Sequence, residues 1–98
     1  MWRHGDVFIE KAGSVPPSAA ELPHCILAKG ELTGHAHRVE PRGAATLYRS
    51  GDSLYLRVTA DRATLMHEEH APINLDKGVY RAWIQREYSP QEIRRVVD

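Results

Sequence analysis

The sequence has a single cysteine, Cys25, so no internal disulfide framework can form. Its apolar runs last only a few residues, far short of the roughly 20 that a membrane-spanning helix needs. Charge of one sign is also missing. Thirteen basic residues face thirteen acidic ones, five of each up to residue 42 and eight of each from 43 onward. Without a basic arm, counterion release has little to act on, and nucleic acid is not the expected partner. The first residues carry Arg3, His4, Asp6 and Glu10 with no apolar stretch, unlike a secretory signal, so a cytoplasmic location is the default expectation.

What remains is enough for one small core. Ninety-eight residues, 42% of them apolar, make one expected domain over 1–98. A chain of this size hides roughly two thirds of its unfolded surface. Ten of the thirteen cations are Arg, which suits planar, bidentate pairing. Six histidines are the one compositional excess, and four of them fall in two short clusters.

The pattern along the chain is that of strands and turns. Val7-Phe8-Ile9 is a short β-prone run, and Pro16-Pro17 detaches it from the next strand, which makes it an expected edge strand. Ser18 to Glu21 has room for one helical turn. Cys25 to Ala28 reads as a buried strand, and Glu31 to Glu40 alternates up to the break at Pro41. The clearest hairpin joins Ala45–Arg49 to Ser53–Val58, with Leu54, Leu56 and Val58 on one face. Ala63 to Met66 is a further short strand, Asp76-Lys77-Gly78 a turn, and Val79 to Tyr88 a last long strand. Ser89, Pro90 and Glu92 supply an N-cap, a first-turn proline and a capping box for a short C-terminal helix. Short strands with turns every 8–12 residues predict an all-β fold, a small barrel or sandwich.

Two side chains at i and i+2 on a strand share a face. His35 and His37 are therefore placed to hold one ion from one side, and His67 with Glu69 repeats the geometry, with His70 just beyond. Zinc, iron, copper and nickel all accept imidazole nitrogen, with or without a carboxylate. His35, His37, His67 and His70 are the candidate metal ligands. Glu69 is the candidate catalytic group, as a further ligand or as a general base beside water in an open position. His4 reads as a surface residue and His24 as structural.

Other readings use the same residues. Histidine pairs on strands are also ordinary surface features. A metal-free pair could act as general base and acid in phosphodiester cleavage, with Arg38 or Arg81 neutralising the phosphate. Tyr80 to Tyr88 is a core strand with an amphipathic outer face, or else an aromatic and Arg surface, centred on Trp83 and Tyr88, for a partner of a non-catalytic module.

The run from Gly30 to Glu40, with Gly34 before His35-Ala36-His37, resembles the first motif of the cupin family. There a glycine precedes a His-x-His pair, a glutamate comes after it, and a later strand supplies another histidine. Glu40 stands one residue closer to the pair than that pattern has it, and the family's later Pro-x-Gly motif is absent in that form, leaving His67 or His70 to fill its role. The chain also resembles small bacterial single-domain proteins with this histidine arrangement. The cupin resemblance implies a short β-barrel holding one divalent metal inside, commonly as a homodimer, while the open ligand position leaves room for water or a small-molecule substrate. Edge strands that must be covered point to the homodimer independently.

Overall fold

The computed structural model describes residues 1–29 and 35–84, and the expected C-terminal helix lies outside them. Among the described residues the chain is all-β, with no helix. Its strands are β1 (Trp2–His4), β2 (Val7–Ala12), β3 (Ala20–Glu21), β4 (Ile26–Lys29), β5 (Ala36–Glu40), β6 (Ala45–Ser50), β7 (Ser53–Met66) and β8 (Ile73–Ile84). They form one antiparallel sheet in the order β1-β2-β8-β7-β5-β4, with β6 also on β7 and β3 on β6. No described helix is long and apolar enough to cross a membrane.

The architecture rests on two long strands that bend. Pairing between β7 and β8 runs from Leu54↔Ala82 to Val58↔Gly78, then resumes at Arg62↔Asp76, so two extra residues bulge from β7. A bulge bends a strand and resets which side chains face inward. Leu54, Leu56 and Val58 are buried before it, Ala63 and Leu65 after it, a switch from even to odd positions. The same bend splits the partners of β7, because residues 54–58 pair with β6 and residues 64–66 with β5.

The strand bounds correct three expectations. Residues 53–66 are one strand, because the bulge absorbs the polar stretch Thr59-Ala60-Asp61 without ending it. Asp76-Lys77-Gly78 is part of β8, where Gly78 takes a φ of 148° at the bend. The segment from Ser18 to Glu21 forms a turn closed by Ala19 N–H on Pro16 C=O, then the short strand β3 on β6.

The N-terminus corrects a fourth. Val7–Ile9 is an interior strand, hydrogen-bonded to β1 on one side and β8 on the other. The two-residue turn Gly5-Asp6 joins β1 to β2, with glycine at the first central position at φ 65°. The ends of the sheet path are β1 and β4.

The inward faces close on one core of Val7, Ile9, Leu27, Val39, Leu47, Leu56, Val58, Leu65, Leu75, Tyr80 and their neighbours. Full burial of each large aliphatic chain is worth roughly 1.5–3 kcal/mol. Among the described residues, His4 and His37 are the buried polar members of this interior. They lie at one end of it, and the site is built on them.

Candidate metal centre

His37 is carried inward by strand alternation, since His37 and Val39 are buried while Arg38 between them is half-exposed. The β5–β7 register pairs Arg38 with Met66 and Val39 with Leu65. One step further along, His37 meets His67 at the head of the loop between β7 and β8. The two rings lie 4.3 Å apart between centroids, and His67 and His70 lie 4.5 Å apart. Each of His37, His67 and His70 offers a ligand atom, and these atoms lie within 4.8 Å of one another.

Glu68 pins this loop over β5. Ala36 N–H donates to its Oε1 at 3.0 Å and the Arg38 guanidinium to its Oε2 at 2.6 Å. The Ala36 amide first, and then Arg38, hold the carboxyl at about 2, well below the usual carboxylate range. A second trio, His35, His67 and Glu68, also brings ligand atoms within 4.8 Å. There the carboxylate is already committed to the backbone and to Arg38, so an ion would have to break the clip that positions the loop.

His35 sits just before β5 with Nδ1 3.2 Å from Glu69 Oε1. The two form a polar pair at the rim of a cleft of about 260 Å³, which Asp6, Lys29, His37, His67 and His70 also line. Of the sequence candidates, then, His37, His67 and His70 converge, while His35 and Glu69 stand beside them. Glu40, the carboxylate of the His-x-His motif, is exposed beside Arg38 at 3.9 Å and lies on the opposite face of β5 from His37.

The expectation for His4 fails. It is 2% exposed, with Nε2 3.0 Å from Ala71 C=O and Nδ1 2.8 Å from His37 Nδ1. The His4↔Val7 pairing across the β1–β2 hairpin turns it inward, and that hairpin was signalled by Gly5-Asp6 between two β-prone triplets. Gly5 belongs to the site as well. A Cβ there would sit 2.6 Å from His70 Nε2 and 3.2 Å from His37 Cε1, so any side chain at this φ of 65° would displace the His70 ring. His24 is an exposed structural residue whose Nδ1 accepts Ile26 N–H.

Burial, then the neighbouring His67 and His4, depress His37 to about 4, only partly countered by Asp6. Burial also lowers His4, against the bond to Ala71. At neutral pH both rings are uncharged, the form in which imidazole offers a lone pair to an ion. His67 is differently occupied, since its Nδ1 accepts Glu69 N–H at 3.0 Å.

No curated protein and no solved structure matches this chain. A family described as a domain of unknown function, DUF8820, matches residues 3–85, from β1 through the last described strand and including every residue of the histidine cluster. The chain belongs to that family.

Proposed function

We propose that this chain binds one divalent transition-metal ion through His37, His67 and His70 and uses it as a small metal-dependent enzyme. The observation that carries the reading is the convergence of three imidazole nitrogens within 4.8 Å at the floor of an open cleft. Three protein ligands with a fourth position facing solvent is the arrangement of catalytic sites, whereas structural sites close all four. Zinc, iron, copper and nickel all suit imidazole donors. Such an ion would supply a Lewis acid to a small polar substrate in the cleft.

The chain's own groups divide the remaining work. Glu69, 3.2 Å from His35 Nδ1, is the general base of this proposal, and His35 orients it at the rim and shares its proton. Gly5 keeps the floor low enough for His70 to lean over His37. A likeness to cupins fits an ion held inside a small β-fold, with a donor set drawn from His37 and the later loop. A homodimer is part of the same proposal, and β1 and β4, which end the sheet path, are edges available to it among the described residues.

The metal-free acid–base reading has less behind it. A His37 held at about 4 is no general acid at neutral pH. Arg38 is engaged by Glu68, and Arg81 lies over Trp83 and near Glu10 on the outer face. Elemental analysis of the purified protein, with melting curves before and after chelation, tests the proposal. An ion held at a hundred times its Kd adds about 2.7 kcal/mol of stability. Melting curves that chelator does not move, with no bound metal, would overturn it.

A further inference from the structure

With both rings neutral, the buried contact between His4 and His37 has only one self-consistent arrangement of protons. Ala71 C=O can only accept, so His4 Nε2, 3.0 Å away, carries the hydrogen. A neutral imidazole has one N–H, which leaves His4 Nδ1 as a lone pair. The 2.8 Å contact between the two Nδ1 atoms needs one proton, and it must come from His37. His37 Nε2 is then bare, on the side of the ring near Asp6, which lines the cleft.

Asp6 Oδ1, 3.7 Å from His37 Nε2 and beyond hydrogen-bond reach, draws a proton toward that nitrogen, and the closer contacts at 2.8 and 3.0 Å outweigh it.

We propose that His4 is the positioning residue of the metal centre: through the chain His37 → His4 → Ala71 C=O it fixes the His37 tautomer and ties β5 to the ligand-bearing loop. The proposal rests on the metal-binding reading for its consequence, while the tautomer itself does not. Ligating histidines commonly give their second N–H to a carbonyl or carboxylate, which sets ring orientation and ligand basicity. Here a second histidine is inserted between ligand and carbonyl. The carbonyl belongs to the residue directly after His70, so one hydrogen-bond chain aligns the strand ligand and anchors the loop that brings the other two. Neither Phe nor Leu at position 4 could do this, although either would fit the apolar interior.

Nitrogen-15 spectra of the ring nitrogens, taken at pH 7.5 on chelator-treated protein, read the tautomers directly. Wild type should show His37 protonated at Nδ1 and bare at Nε2, with the reverse for His4. His4→Phe should remove that bias at His37 and weaken Zn²⁺ binding by roughly 10–100-fold. His4→Gln, whose amide can donate to Ala71 and accept from His37, should recover most of the affinity. A wild-type His37 protonated at Nε2 overturns the proposal without any variant. So does His4→Phe with wild-type tautomer and Zn²⁺ affinity. Wild type that shows the expected tautomers but no Zn²⁺ affinity would instead remove the metal reading and leave the relay standing.

Discussion

The two halves of the histidine cluster are built differently. His37 and His4 belong to strands, are 6% and 2% exposed, and have ring nitrogens fixed by one another and by Ala71. His67 and His70 belong to the loop between β7 and β8, where His70 is exposed and His67 Nδ1 is occupied by the Glu69 amide. Under the proposed reading, His37 would meet an ion with a lone pair already set, while His67 would first release the Glu69 amide. Stability should therefore reside in the strand half and ion dependence in both.

The largest expected effect lies beneath the strand half. Leu65 is fully buried and opposite Val39, so Leu65→Ala should cost roughly 2–5 kcal/mol in denaturant unfolding. In the loop half, His70→Ala should cost no more than about 0.5 kcal/mol in chelated protein, as exposed substitutions do. Equal losses at the two positions would erase the contrast between the halves.

Acid should act next, and through the strand half. His37 is held at about 4 in the fold against 6.5 in the unfolded chain, so the unfolded state binds more protons between those values. The His37 share of the chelated protein's stability should fall as pH drops through 6.5 and level off below about 4, by roughly 3 kcal/mol, with the Glu68 clip lost at lower pH still. His4, lowered in the same direction, adds to the same slope. A His37→Gln variant should flatten most of it, and urea unfolding at several pH values measures both.

A smaller effect should appear where the halves touch. Gly5→Ala places a methyl 2.6 Å from His70 Nε2 on a backbone at φ 65°, which should cost about 1–2 kcal/mol. Because the clash falls on the end of a loop side chain, ion affinity should drop more than stability, as Zn²⁺ titration beside thermal melting would show.

Much of this was legible in the sequence. Alternation at Leu54, Leu56 and Val58 gave the central hairpin, and the two histidine clusters contain the three residues that converge, although the i, i+2 spacing paired His37 with His35, which lies outside that trio. Periodicity could not show that β7 and β8 continue through polar bends, because a bulge admits unpaired residues without ending a strand. The same limit hid His4. Its burial depends on a two-residue turn and on the β2–β8 pairing, which brings the first hairpin round to the loop after β7. Glu68 carries no signal of its own in the sequence, because the amide it holds lies 32 residues earlier in the chain.

Zn²⁺ titration of chelator-stripped protein by calorimetry, in wild type, His37→Ala and His67→Ala, tests the central claim most directly. One ion per wild-type chain is expected, with binding abolished when either the strand ligand or the loop ligand is removed. No binding to wild type, or binding that survives both substitutions unchanged, would contradict a metal centre shared between strand and loop.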